Sequence, residues 1–251
     1  MIASLGMYDM PHLQDAHDRL WAGIRAALGF GPTTLTRGGD PWEEWQSSDL
    51  LLAQTCGLPY RARLHGKVAL VGTPDYDLPD CPPGHYFSYL IRRRDDPRNL
   101  KELSEQGVMA FNDALSQSGW AAPLAHLARH RLTPRRVLQT GAHLASVSAV
   151  LDQTADYAAV DAVTYLLWAQ HDPNAAAVID AFDRTTPTPG LPYITALTRD
   201  AEAIAQAVAT TITALPEDDR HALRLRGLTQ IPAQDYLRLP IPPAPDESCI
   251  T

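Results

Sequence analysis

The run Val108-Met109-Ala110-Phe111-Asn112-Asp113-Ala114-Leu115-Ser116-Gln117-Ser118-Gly119-Trp120 decides how this chain is read. Its first four residues are apolar and read as a buried strand. Beyond Gly119, Trp120, Leu124 and Leu127 recur on one face of a helix. A strand, then a loop of small polar residues, then a helix aims the unpaired first-turn N–H groups at whatever lies ahead of the helix. The helix dipole favours an anion there. Ser116, Gln117 and Ser118 add side-chain donors, Asp113 shares their loop, and Gly119 lets a ligand approach the backbone. Taken alone, the window fits an ordinary Ser/Asp-rich N-cap better than a ligand loop.

Outward from this run, strands and helices alternate. Met1-Ile2-Ala3-Ser4-Leu5 reads as a first strand. Leu13, Ala16, Leu20, Ile24 and Ala27 follow at helical spacing, up to Gly29. Tyr8 lies in the loop between them, at the carboxyl end of a strand, where α/β proteins place ligand contacts. Thr33–Thr36 reads as a second strand. The apolar residues 49–53 lead into Gln54-Thr55-Cys56-Gly57, a second polar loop expected to face a cleft. Further strands are expected at 68–71, 86–91, 136–140, 157–160, 178–182 and 193–197. Gly141-Ala142-His143 opens a helix, and Asp161 closes a strand. From Leu239 the tail is rich in proline and must be extended. This order predicts an α/β fold with mainly parallel sheets.

Composition narrows the function classes. A formal charge of -8 offers no basic stripe for nucleic acid. The cluster Arg92-Arg93-Arg94 is answered at once by Asp95-Asp96. Three cysteines, widely spaced, make neither a disulfide framework nor a metal motif. No apolar run reaches the about 18–20 residues of a membrane span, so no membrane insertion is expected. Residues 1–5 lack a basic n-region and a cleavage site. As it stands the chain is expected in the cytoplasm, or in the periplasm if a leader has been removed. His126 and His130 stand four apart, but no third ligand accompanies them, and they read as surface histidines. No cofactor or metal is expected.

Taken together, the loops carry a resemblance. Gln54-Thr55-Cys56-Gly57, Pro83-Gly84-His85-Tyr86-Phe87-Ser88, Asp113-Ala114-Leu115-Ser116-Gln117-Ser118-Gly119, Gly141-Ala142-His143 and Val160-Asp161 follow one another in an order that resembles the phosphate/phosphite/phosphonate substrate-binding proteins of ABC transporters. Those proteins have the type 2 periplasmic-binding-protein fold. The resemblance implies two α/β lobes joined by two hinge crossings, with residues 1–91 plus 192–251 in lobe 1 and 92–191 in lobe 2. It implies closure on a small oxyanion, phosphate or a phosphonate, in the cleft between lobes, and an ABC permease as partner. It places Ser116, Gln117 and Ser118 on the phosphoryl oxygens and His143 as a further donor. Tyr86 lies on the first crossing, Asp161 near a substrate amine, and Gln54 at a contact on lobe 1. Gln117 stands where small hydroxyl residues are usual in that family.

Alternatives stay open at single residues. Asp161 serves equally well as a helix cap, Tyr86 as core, and His143 as a helix-start residue. As an anion donor, His143 would become cationic from an ordinary pKa of about 6.5. A cytoplasmic ligand sensor of the same fold is the alternative function, and an enzyme the third. No nucleophile–base–orienter set stands at motif spacing, His143 and Cys56 being the only suggestive pair.

Overall fold

A computed structural model describes residues 1–250. Ten strands form two five-stranded sheets: β1 (Ile2–Ser4), β2 (Leu50–Gln54), β3 (Val68–Asp75), β4 (Ser88–Arg93), β5 (Val108–Phe111), β6 (Arg136–Gln139), β7 (Tyr157–Asp161), β8 (Ile179–Arg184), β9 (Tyr193–Ala196) and β10 (Gly227–Thr229). The helices that bear on the argument are α1 (Gln14–Leu28), α2 (Ala122–Arg129), α3 (His143–Leu151), α4 (Ala162–His171) and α5 (Ala201–Ala214). The chain divides into two compact units, Met1–His85 with Pro189–Leu239 and Tyr86–Thr188 with Pro240–Thr251.

In the first unit the strand order is β1-β2-β9-β3-β10. β2 is buried along its whole length, which is why it reads as a continuous apolar run rather than an alternation. Leu50, Ala53, Tyr60, Leu64, Ile194 and Tyr236 form one core cluster with Trp45. α1 buries Leu20, Trp21 and Ile24, and packs on α5, which buries Ile204, Val208 and Ile212. The two helices approach closely at Gly23, where a Cβ would meet Thr211 Cγ2 at 2.5 Å. Any larger residue there would push them apart.

In the second unit the order is β6-β5-β7-β4-β8. The pleat of β5 sends Val108 and Ala110 into one apolar cluster, with Val147, Val150 and Ile179, and Met109 and Phe111 into another, with Leu103, Trp120 and Tyr157. Both faces are therefore covered, and β5 is buried throughout. Phe111 and Trp120 meet as a tilted pair with ring centroids 4.7 Å apart, a pairing that adds about 0.5–1.5 kcal/mol to plain burial.

Three expectations are corrected here. The sheets are mixed rather than mainly parallel: β1 runs parallel to β2, and β5 to β6 and β7, but β9, β10 and β4 pair antiparallel to their neighbours. Residue type records burial but not strand sense, so the sequence does not distinguish the two directions. Thr33–Thr36 forms no strand; its one tie to β1 is Thr36 N–H donating to the Ala3 carbonyl at 2.7 Å. The tail from Pro240, grouped with residues 192–239 in the sequence reading, belongs to the second unit. There Trp120 Nε1 donates to the Pro243 carbonyl at 2.9 Å, Ile250 bridges to Val137, and Cys249 packs on the second cluster. The chain thus passes between units three times, after His85, Thr188 and Leu239. No helix among the described residues is long and apolar enough to cross a membrane.

Candidate functional site

The loop after β5 is built by its own side chains. Asp113 Oδ1 accepts from Leu115 N–H at 2.7 Å and the Asp113 carbonyl from Ser116 N–H at 3.0 Å, turning the chain back toward the sheet. Ser116 then takes extended backbone angles, and its Oγ accepts from Gly119 N–H at 3.0 Å as a helix cap. The first turn, Gln117–Ala121, is a wide π-type turn that runs on into α2. Pro123 explains the widening, because it cannot donate to the carbonyl four residues back. Gly119 is dictated by packing: a Cβ there would fall 1.9 Å from Asn112 Oδ1. With Gly119 N–H capped, Ser118 N–H is a first-turn donor with no acceptor among the described residues.

Ser118 Oγ lies 2.8 Å from His143 Nε2. Ser118 is 2% exposed, and Ser88 Oγ fixes it by donating to its carbonyl at 2.8 Å. The bond from Gly141 N–H to the Asn112 carbonyl, at 2.9 Å, holds the start of α3 against the loop and so brings His143 to Ser118. Burial lowers the His143 pKa to about 4, against a smaller upward pull from the Ala159 carbonyl. The ring is therefore neutral near pH 7, not a cation with an ordinary pKa. A proton on Nδ1 leaves Nε2 to accept from the Ser118 hydroxyl. A proton on Nε2 reverses that bond and turns the Ser118 O–H outward as a donor. Nδ1 is buried without a hydrogen bond of good geometry, so neither tautomer is locked by a strong partner. Ser118 with His143 is also a nucleophile–base pair that the sequence reading missed in favour of Cys56. It lacks the carboxylate orienter of a hydrolytic triad among the described residues.

The other expected residues of this unit fall as follows. Ser116, Gln117 and Ser118 are all buried, and the hydroxyls of Ser116 and Ser118 stand 3.5 Å apart. Asp113 is exposed, and its second oxygen takes a 3.4 Å bond from Gln139. Asp161 is 1% exposed, opposite Ser88 in the sheet, and its Oδ1 caps α4 by accepting from Thr164 N–H at 2.9 Å. Tyr86 is buried at the start of the unit. His126 is less of a surface residue than expected: its ring is largely buried, and Nε2 meets Asp183 Oδ2 at 2.9 Å.

Tyr8, Gln54 and Thr55 lie in the first unit, and all three are buried. Gln54 Nε2 donates to Tyr76 Oη at 3.1 Å and to the Leu191 carbonyl at 3.2 Å. Tyr8 meets Tyr76 edge to face at 5.0 Å. Tyr76 also bonds the Tyr193 hydroxyl, whose pKa is raised by burial. Thr55 N–H donates to the Pro192 carbonyl at 3.1 Å, while its Oγ1 is buried with no hydrogen-bond partner among the described residues. Beside this group a cavity of about 300 Å³ is lined by Ser4, Asp9, Arg37, Glu44 and Gln54. Arg37 Nε holds Asp9 at 2.5 Å and His17 adds a 3.3 Å contact, whereas burial of the His17 ring lowers its pKa.

Sequence reasoning missed Tyr76, and it quoted Ser88 and Asn112 within its motifs without giving either a role. Tyr76 stands just past the carboxyl end of β3, the position that drew attention to Gln54, but the Pro/Asp-rich loop around it masked the strand end. Among the described residues no group of three or more His, Cys, Asp or Glu could hold a metal.

The family described as ABC transporter, phosphonate, periplasmic substrate-binding protein matches residues 52–236, more than half of the chain. No curated protein matches the sequence. Among solved structures, a binding-protein component of an ABC phosphonate transporter (PA3383) from Pseudomonas aeruginosa superposes with a TM-score of 0.71 at 13% identity, covering 94% of this chain and 82% of its own. PhnD1 from Prochlorococcus marinus, solved with methylphosphonate, gives 0.66 at 15%, covering 89% and 90%. XAC2383 from Xanthomonas citri, solved with ATP, gives 0.61 at 17%, covering 90% and 91%. At these identities the likeness to each structure is one of fold, that of type 2 periplasmic binding proteins.

Proposed function

The chain belongs to the family of phosphonate-binding periplasmic substrate-binding proteins of ABC transporters, and on that premise we propose that it binds a phosphonate or phosphate oxyanion at the Ser116–Gly119 loop and delivers it to a permease. The observation that carries the proposal is the 2.8 Å pair of Ser118 Oγ and His143 Nε2 at the start of a helix with an unengaged Ser118 N–H. An oxyanion placed there receives the Ser118 N–H directly and the helix dipole along its axis. It selects the tautomer in which Nε2–H donates to Ser118 Oγ, so that the Ser118 O–H turns to the anion. A dianion this close also favours the charged imidazolium, raising the His143 pKa from its lowered value. Binding then takes up a proton wherever the raised pKa exceeds the pH.

This role needs no bond making, and the site's groups are donors rather than a complete hydrolytic set. The test is an isothermal titration panel of methylphosphonate, phosphate, phosphite and sulfate against wild type and Ser118→Ala. The proposal expects at least one phosphorus oxyanion to bind, with affinity falling about 10- to 150-fold in the variant, the equivalent of about 1.5–3 kcal/mol for a bond to a charged group. Failure of the whole panel to bind, or equal binding by both proteins, overturns it.

A further inference from the structure

We propose that the first unit carries a second anion site: a pocket of about 480 Å³ lined by Trp42, Gln46, Arg61, Arg63, His65 and Lys67, which takes a small molecule bearing a phosphate monoester or diphosphate. β2 and β3 both run antiparallel to β9 and so point the same way. Gln54 ends β2, whereas Lys67 immediately precedes β3, so Lys67 lies toward the opposite end of these strands from Gln54. The pocket shares no lining residue with the cavity beside Gln54.

Charge is the first argument. The molecule's formal charge is -8, yet no carboxylate lines this pocket, and three of its lining residues, Arg61, Arg63 and Lys67, are basic. Elsewhere in the unit Arg19, Arg37 and Arg226 are each answered by an aspartate, whereas Arg25, Arg199, Arg220 and Arg224 make no ion pair among the described residues but line no shared pocket with Arg63 and Lys67. Arg63 and Lys67 have no carboxylate partner among the described residues. Like charges gathered around one pocket repel one another, and a multivalent anion relieves that repulsion.

Construction is the second argument. Arg61 is only 7% exposed, so its guanidinium is held in the pocket wall rather than waving in solvent. Arg63 lies over the Trp42 ring at 5.1 Å, a cation–π contact that orients a long, flexible side chain. His65 is held edge to face against Tyr60 at 5.9 Å. An orienting aromatic, a buried guanidinium and an exposed ammonium match a phosphate with a small organic body. The volume lies within the usual range for small-molecule sites.

The test separates this pocket from the Ser118 site by using Ser118→Ala as the background. Inorganic pyrophosphate, titrated calorimetrically at low ionic strength, is expected to bind that variant at one site. Arg63→Gln or Lys67→Gln is expected to weaken the binding at least tenfold, and a control substitution of a surface arginine outside the pocket, Arg25→Gln, to leave it unchanged. Circular dichroism confirms that each variant is folded. Sedimentation with phosphatidate vesicles distinguishes a lipid headgroup from a free phosphate as the source; binding in either arm that Arg63→Gln or Lys67→Gln weakens supports the site, and binding that both leave unchanged overturns it. Absence of binding in both arms overturns it, as does equal weakening by Arg25→Gln, which marks general charge attraction.

Discussion

The ends of β2 and β5 look alike in sequence: each is a fully buried apolar strand that breaks into small polar residues before a helical turn. Their chemistry differs. At β2 the Gln54 amide is engaged by Tyr76 and by the Leu191 carbonyl, within a network of tyrosines that holds itself together. At β5 the loop closes on itself through Asp113 and Ser116, and this leaves Ser118 with a backbone donor unengaged and a hydroxyl shared with a neutral histidine and, at 3.5 Å, with the Ser116 hydroxyl. A polar residue after a strand marks a ligand site when its hydrogen-bonding capacity is left over, and a structural joint when it is not.

The comparison breaks most visibly at Gly119. Gly119→Ala forces a Cβ against Asn112 Oδ1 and should cost about 3 kcal/mol, the upper range for overpacking, in urea denaturation. An unchanged midpoint would show that the loop has room to yield. Next is Ser118→Ala, which should weaken oxyanion binding by about 1.5–3 kcal/mol while lowering stability by less. Equal losses in both quantities would make Ser118 a joint like Gln54.

The third effect concerns acid. The folded pKa of His143, about 4, lies below its unfolded value near 6.5, so the unfolded chain binds the proton first. Stability is therefore intact above pH 6.5 and falls as pH drops toward 4. Between pH 7 and pH 5 this one group should remove about 2 kcal/mol, and His17, lowered in the same direction, adds to the fall. In His143→Gln the fall should flatten by that amount, measured by denaturation at both pH values. The same slope in both proteins would place the His143 ring in a more solvated setting.

Smallest is Gln54→Ala, expected to cost about 1–2 kcal/mol of stability and to leave oxyanion affinity nearly unchanged. A loss of affinity with intact stability would instead move Gln54 among the ligand contacts.

How much of this could be read beforehand varies by element. The strand Val108–Phe111 and the helix opening at His143 were legible because burial and periodicity write themselves into residue type. Strand sense was not, since the residue types of β4 and β9 satisfy burial equally well in either direction. Thr33–Thr36 misled because β-branched propensity needs a partner strand, and that segment makes one bond to Ala3. In the candidate site, Ser116 and Ser118 stood out as cap chemistry. The meeting of Ser118 with His143, 25 residues later, could be reached only through family resemblance. Ser88 and Asn112 stood in the quoted segments, but their support of the loop, a bond to the Ser118 carbonyl and close packing against Gly119, is a tertiary contact that residue type does not record.

The tail has a consequence for how the loop can be watched. Pro240, Pro242, Pro243 and Pro245 confine the detached tail to few conformers, so laying it on the second unit forfeits little chain entropy, and a handful of contacts suffices. The same prolines lack amide protons, which leaves amide exchange nearly silent over this stretch. What remains is the Trp120 indole proton, bonded to the Pro243 carbonyl and two residues from Ser118. That single resonance senses both the seating of the tail and the state of the loop.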